Sequence, residues 1–218
     1  MRRALLLLVV LALAGCGGGD DESTDTETAS AGSPTTCEEV DAPEPKDERG
    51  QTKPSSELAP GKTHELVVET NCGSFTITLD PEASPKTTAS VAALAESGFY
   101  DDTTFHRIVP GFVIQGGDPT GTGTGGPGYT TVDTPKEATK YTRGVVAMAK
   151  TATEAPGTSG SQFFIVTGAD IGLPPEYAVI GKVTEGQDVV NRIGQLGDPN
   201  TEQPTQVVVV SGMSNRTS

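Results

Sequence analysis

The chain has 218 residues, of which 34% are hydrophobic and 20% are charged, and its formal net charge is -14 at pH 7. Residues 1–15 contain Arg2 and Arg3 and no acid, so a chain without them would carry a charge of -16. Proteins that bind nucleic acids need clustered lysine and arginine to neutralise phosphates. The sequence has no such cluster, and this argues against a nucleic-acid partner.

The first residues form a targeting segment rather than part of a fold. A positive start at residues 1–3 is followed by an apolar run at residues 4–13, which is too short to cross a membrane as a helix. The run ends in Leu-Ala-Gly-Cys at residues 13–16, which resembles the lipobox of bacterial lipoproteins. That resemblance implies a signal peptide over 1–15, a diacylated Cys16, and an anchor on the extracytoplasmic face of the cell membrane. The alternative is an ordinary signal peptide cut near Ala14.

Residues 16–61 have the composition of a linker, since they are rich in acids, Gly, Ser, Thr and Pro and nearly lack large apolar residues. Such a segment cannot bury enough surface to offset its ordering entropy, so we expect an acidic, disordered tether. Residues 62–212 have the composition of one globular domain, and residues 213–218 are expected to be a C-terminal tail. A tethered monomer is the expected state.

Cys37 and Cys72 remain as a pair once Cys16 carries lipid. In an oxidising, exported compartment such a pair can persist as a disulfide, although two free thiols stay an alternative. A metal site is not expected, because these cysteines and the two histidines, His64 and His106, do not have zinc-ligand spacing.

The domain opens with a predicted hairpin, in which strands at residues 66–70 and 74–79 flank a turn at Gly73. A helix should begin at Ser84 and Pro85 and end near Gly98. Its buried face is predicted to contain Val91, Leu94, Ala95 and Phe99. Short strands are then predicted at residues 104–109, 112–115, 144–148, 163–167 and 178–183, followed by a helix at 187–193 and a strand at 206–210. This pattern favours a mainly β fold, a barrel with helices covering its ends.

Three segments resemble the cyclophilins, which are peptidyl-prolyl cis/trans isomerases, in their order and spacing. The first is FHRIVPGFVIQGGDP at residues 105–119 and the second is GVVAMAK at 144–150. The third is GSQFFIV at 160–166, followed by YAVIGKV at 177–183. The resemblance implies a closed eight-stranded antiparallel β-barrel capped by two helices. It also implies prolyl isomerisation (EC 5.2.1.8) without a metal or cofactor, acting here on exported, proline-containing polypeptides.

The resemblance also implies roles for individual residues. Arg107 would be the catalytic cation, and Gln115 would contact the peptide or hold the guanidinium. The proline pocket and the groove for the flanking peptide would be formed by Phe112, Val113, Ala149, Lys150, Gln162, Phe164, Leu173 and Tyr177. Taken singly, Arg107 could be a surface ion-pair residue, and Phe112 or Phe164 could be core. A non-catalytic chaperone or scaffold that binds proline peptides is the alternative function.

Three departures from the family pattern concern the groove and the pocket. Lys150 stands where well-known members have asparagine, and the stretch from 150 to 159 is longer than theirs. Gly172 stands where many members have a tryptophan before the pocket leucine. That tryptophan contributes to binding of the inhibitor cyclosporin, so only weak cyclosporin binding is expected here.

Overall fold

A computed structural model describes residues 36–47 and 50–218, so the predicted signal peptide and Cys16 lie outside the described residues. Within these ranges there are two helices, α1 (Pro85–Glu96) and α2 (Gln187–Ile193). The strands are β1 (His64–Thr70), β2 (Gly73–Leu79), β3 (Thr103–Thr104), β4 (Arg107–Val109), β5 (Val113–Gly116), β6 (Thr131–Val132), β7 (Val145–Met148), β8 (Thr158–Ser159), β9 (Phe163–Val166), β10 (Val179–Glu185) and β11 (Val209–Thr217). No helix among the described residues is long and apolar enough to span a bilayer.

The main sheet is antiparallel and has nine strands in the order β3-β11-β1-β2-β10-β7-β9-β5-β4. A mainly β fold is therefore confirmed, whereas the closed eight-stranded barrel is not. The predicted strand at 104–109 is divided into β3, which pairs with β11, and β4, which pairs with β5. Consecutive strands of the chain thus form the two edges of the curled sheet, and residues 105–106 join them without a ladder between them. Phe105, at this junction, is fully buried in the main core.

Helix α1 covers one end of the core and begins and ends where the sequence indicates. Val91, Leu94, Ala95 and the following Phe99 are buried, as predicted. Ser84 occupies the N-cap position without a side-chain hydrogen bond. The carboxylate of Asp133 accepts a hydrogen bond from the backbone N–H of Thr87 instead, at 2.7 Å, which satisfies one of the free N–H groups at the helix start.

The last strand is longer than the predicted strand at 206–210. β11 continues to Thr217 and pairs with β1 along its length, from His64 opposite Thr217 to Thr70 opposite Val210. The expected tail at 213–218 is thus largely part of the sheet. The polar sequence after Val210 gives no strand pattern, because Met213 is the only one of residues 211–217 that is buried against the core.

A segment that we call the strap (residues 37–47 and 50–53) lies against the domain. Cys37 and Cys72 form a disulfide, as predicted, and the backbone N–H of Glu38 donates to the carbonyl of Asn71 at 2.8 Å. Farther along, the N–H of Lys46 donates to the Pro119 carbonyl at 2.9 Å. This part of the expected disordered linker is therefore ordered in the structure, because backbone pairing and a covalent bond compensate for its lack of apolar side chains.

Candidate active site

The hairpin of β4 and β5 places the first two predicted catalytic side chains side by side. Arg107 lies directly opposite Gln115 in the antiparallel register, so the two side chains leave the same face of the sheet. The turn between the strands contains Gly111 with a φ of 70°, a conformation that glycine adopts without steric cost. Strand β9 pairs on the other side of β5 and places Phe164 opposite Gln115.

A line of side-chain hydrogen bonds runs across the site from Arg107. The Nη1 group of Arg107 donates to Oε1 of Gln115 over a long 3.5 Å. Nε2 of Gln115 donates to Oε1 of Gln162 at 3.1 Å, and Nε2 of Gln162 donates to the carbonyl of Gly125 at 3.0 Å. Each glutamine amide accepts through its oxygen on one side and donates through its nitrogen on the other. The guanidinium and both glutamine side chains therefore restrain one another's orientation.

A pocket of about 330 Å³ with both apolar and polar walls lies beside Arg107. It is lined by Arg107, Phe112, Val113, Gln115, Ala149, Lys150, Phe164, Leu173 and Tyr177. These are nine of the ten side chains that the family resemblance assigns to catalysis or substrate binding, brought together from four separated stretches of the chain. The tenth, Gln162, lines an adjacent pocket that shares Gln115, Ala149 and Lys150 with the first.

The pocket wall is a small aromatic cluster separate from the main core. The rings of Phe164 and Tyr177 meet edge to face, with centroids 5.5 Å apart. Tyr141 packs against both and is almost fully buried. Its hydroxyl donates to the Tyr177 carbonyl at 2.7 Å and accepts from the Tyr177 N–H at 3.0 Å, and burial raises the pKa of this phenol. Tyr141 thus fixes the edge of the pocket, a role that the sequence did not reveal.

Comparison with protein families decides the assignment of this site. Residues 65–215 match the family model described as cyclophilin type peptidyl-prolyl cis-trans isomerase/CLD. The chain belongs to the cyclophilin family. It is a peptidyl-prolyl cis/trans isomerase (EC 5.2.1.8), as the sequence predicted.

Relatives and solved structures agree with this assignment. The cyclophilin is 37% identical over 154 residues to a peptidyl-prolyl cis-trans isomerase of Arabidopsis thaliana. The aligned region covers 69% of this chain and 92% of the relative. It is 37% identical over 174 residues to a probable peptidyl-prolyl cis-trans isomerase A of Mycobacterium bovis, covering 72% and 94% of the two chains. A cyclophilin crystal structure from Cryptosporidium parvum superposes with a TM-score of 0.65 at 32% identity, covering 72% of this chain and 99% of the other.

Lys150, which stands where well-known cyclophilins have asparagine, is held by the protein itself. Its ammonium group forms an ion pair with Glu176 at 2.9 Å, and only 3% of the lysine side chain is exposed. It also donates to the carbonyls of Thr151 and Glu154, at 3.3 and 3.2 Å, and lies 5.5 Å from the centre of the Tyr177 ring. Because an ammonium has three N–H donors, these three partners occupy all of them. Lys150 therefore lines the groove of this cyclophilin while its charge supports the loop at residues 151–154.

The adjacent pocket has a volume of about 650 Å³, and residues 123–130 form one of its walls. They belong to the segment 118–130, which we call the groove loop. Asp118 organises the start of this loop, since its buried carboxylate accepts hydrogen bonds from Thr120 and from the N–H of Gly123. Burial by itself would raise the pKa of Asp118, but these hydrogen bonds outweigh it and hold the pKa below its usual value. The strap supports the outside of the loop, where the N–H of Gln51 donates to the Pro127 carbonyl and Nζ of Lys53 donates to the Thr130 carbonyl.

One charged contact near the hairpin was not predicted. The carboxylate of Glu202 accepts a hydrogen bond from Nε of Arg107 at 2.7 Å, although 95 positions separate the two residues in sequence. Burial lowers the pKa of the neighbouring His106, which favours its neutral form. No group of three or more metal-ligating side chains occurs among residues 36–47 and 50–218.

Proposed function

We propose that Arg107 is the group that accelerates rotation about the X-Pro bond in this cyclophilin. Rotation has a barrier of about 18–20 kcal/mol because amide resonance is lost. At the twisted transition state the proline nitrogen becomes pyramidal and regains a basic lone pair. A fixed guanidinium beside that nitrogen interacts more strongly with the twisted state than with the planar ground state, which is the condition for catalysis.

The observation that carries this proposal is that Arg107 lines the same pocket as the apolar side chains. Phe112, Val113 and Phe164 give the pocket walls that suit a proline ring, and Gln115 restrains the guanidinium from the side. The solved Cryptosporidium relative was crystallised in the presence of the dipeptide Ala-Pro, which is a ligand of the kind that we expect here. No bond is made or broken in the reaction, so the chemistry asks for no nucleophile.

A protease-coupled assay on a proline tetrapeptide tests the proposal. We expect Arg107→Ala to lower kcat/KM by about 10²–10³-fold, as removal of one preorganised electrostatic donor usually does, with the melting temperature nearly unchanged. Arg143→Ala is the matched control, because Arg143 is exposed and makes one long side-chain contact to Asn191. A turnover of the Arg107→Ala protein close to that of the unmodified enzyme would contradict the assignment.

We further propose that this enzyme acts on exported proteins at the outer face of a bacterial membrane, where Cys16 carries a lipid anchor. The sequence from the positive start to Cys16 supports this proposal, because two acyl chains give stable anchoring where one is marginal. The Cys37–Cys72 disulfide supports it independently, since disulfides persist mainly in oxidising compartments outside the cytosol.

Metabolic labelling with an alkyne-tagged fatty acid tests the anchor. The full-length protein should be labelled and should sediment with membranes, and Cys16→Ser should abolish both. Cys37→Ala is the control, since it also removes one cysteine but leaves the lipobox-like segment intact, and it should keep the label. A labelled Cys16→Ser protein, or an unlabelled parent, would refute lipid attachment at this residue and would leave the isomerase assignment untouched.

A further inference from the structure

The ion pair between Arg107 and Glu202 places a carboxylate on one side of the candidate catalytic cation. Nε of Arg107 donates to Oε2 of Glu202 at 2.7 Å, while 34% of the arginine side chain and 46% of the glutamate side chain are exposed. An exposed pair of this kind contributes little to folding stability. We therefore look for the role of this short contact at Nε in the active site rather than in folding stability.

A guanidinium has five N–H donors in a rigid plane, and the structure accounts for those that face the protein. Glu202 takes the single donor on Nε, and Gln115 takes one donor on Nη1 through the long 3.5 Å contact. Together the two contacts fix the plane of the group from both sides. Within the part of the chain that the structure describes, the remaining terminal N–H groups have no protein partner, and they are available to a substrate in the pocket that Arg107 lines.

The loop around Glu202 is built to hold it in place. Glu202 has a φ of 60°, which few residues other than glycine adopt. Its N–H donates to the Asp198 carbonyl at 2.8 Å, and its own carbonyl accepts from the N–H of Ile108 in β4 at 2.9 Å. The carboxylate of Asp198 in turn accepts from the N–H of Asn200 at 2.7 Å. The backbone of Glu202 is thus attached to the residue next to Arg107.

We propose that Glu202 is a positioning residue for Arg107, which fixes the guanidinium through Nε so that its terminal N–H groups meet the proline nitrogen. This inference rests on the proposed catalytic role of Arg107. A side chain as long as arginine loses considerable conformational freedom when it is held in one geometry. In the free enzyme the contact with Glu202 already restricts the Arg107 side chain to this geometry. The conformational entropy of Arg107 therefore does not have to be lost when the substrate reaches its twisted transition state.

The test compares Glu202→Ala with Glu202→Gln in the same tetrapeptide assay, with kcat and KM measured separately. We expect Glu202→Ala to lower kcat about three- to fivefold, the upper part of the range of an exposed ion pair, with little change in KM, because only the transition state needs this orientation of the guanidinium. Glu202→Gln should restore most of the rate, since its amide oxygen can accept the Nε–H hydrogen bond. Glu82→Ala removes the same charge from an exposed turn and should leave the rate unchanged.

A spectroscopic measurement reports on the contact itself. In ¹⁵N-labelled protein the Arg107 Nε–H proton should exchange slowly with solvent, and Glu202→Ala should make it exchange rapidly while Glu202→Gln should retain protection. An unchanged or higher kcat in Glu202→Ala would overturn the inference. The inference would also be overturned if both variants lost the same share of kcat together with a fall in melting temperature, because Glu202 would then act only through the stability of its loop. If instead Arg107→Ala retained full activity, the proposed function itself would fail.

Discussion

The Cys37–Cys72 disulfide leads to a prediction about stability that can be worked from the structure. The bond closes a loop with a sequence separation of 35, for which the chain-entropy model gives about 4 kcal/mol of stabilisation. For a domain of this size each kcal/mol shifts the melting temperature by about 2–4 °C, so opening the bond should lower it by roughly 8–16 °C.

The cleanest perturbation is Cys37→Ala, because Cys72 is fully buried in the main core and a free thiol behaves there as a small apolar side chain. A serine at position 72 would instead bury an unpaired hydroxyl. Thermal unfolding followed by circular dichroism, with and without a reductant, measures the effect. The reductant should lower the melting temperature of the parent protein and should not affect Cys37→Ala, which is the control for unspecific effects of the reductant.

Activity separates this stability effect from a change in the site. The strap contacts the outer side of the groove loop, while the pocket beside Arg107 is formed by other residues. We therefore expect kcat/KM on a tetrapeptide to be unchanged at a temperature where the variant is folded. A fall in melting temperature of less than about 3 °C on reduction would refute the loop-entropy argument, which requires several times more.

Four further outcomes are expected. The rate of isomerisation should be flat from about pH 6 to 8, because arginine keeps its charge throughout this range; a bell-shaped profile would point to a titrating group instead. Burial lowers the pKa of His106 in the folded state, so as the pH falls this histidine is protonated in the unfolded chain before it is protonated in the folded one. The free energy of unfolding should therefore keep its full value above about pH 6.5 and decrease below it. Denaturant titrations should show a smaller decrease for His106→Phe. Lys150→Met should cost about 1 kcal/mol through the lost hydrogen bonds to the 151–154 loop, measured by the same titrations, and an equally stable variant would contradict the role described for the ammonium. Calorimetry should show weak cyclosporin binding, since Gly172 has no ring to contact the inhibitor. Its φ of 63° also disfavours the tryptophan that other members have at this position. Nanomolar binding would refute this expectation.

The parts of the fold that could be predicted are those in which local sequence and burial agree. The hairpin of β1 and β2, helix α1 with its Pro85 start, and helix α2 over residues 187–193 all follow from periodicity and capping residues. The part of β11 after Val210 could not be predicted, because six pairings with β1 rather than its own apolar residues hold it in the sheet. The strap was missed for a similar reason, since backbone hydrogen bonds leave no trace in composition.

The candidate site shows the same division. A family motif places Arg107, Gln115 and the pocket side chains, because their spacing along β4, β5 and β9 is preserved in sequence. Glu202 lies on a loop remote from any of these motifs, and nothing in its neighbours in the chain indicates an arginine partner. Tyr141 acts through its hydroxyl on Tyr177, a contact between loops that only the folded chain reveals. Supporting residues of this kind need a structure to be found.

The disulfide also sets how far the domain can travel from a membrane, with Cys16 as the anchor proposed above. Without the bond, the connection to the folded part would run from Cys16 to His64, 48 positions that can extend to at most about 160–170 Å. With the bond, the connection ends at Cys37 after 21 positions, and the longest reach is about 70–75 Å. With the proposed anchor, the oxidised enzyme would be confined to a thinner layer above the lipid surface, where its effective concentration toward newly exported chains would be higher. Reduction, followed by release of the hydrogen bonds that also hold the strap, would more than double the depth of that layer.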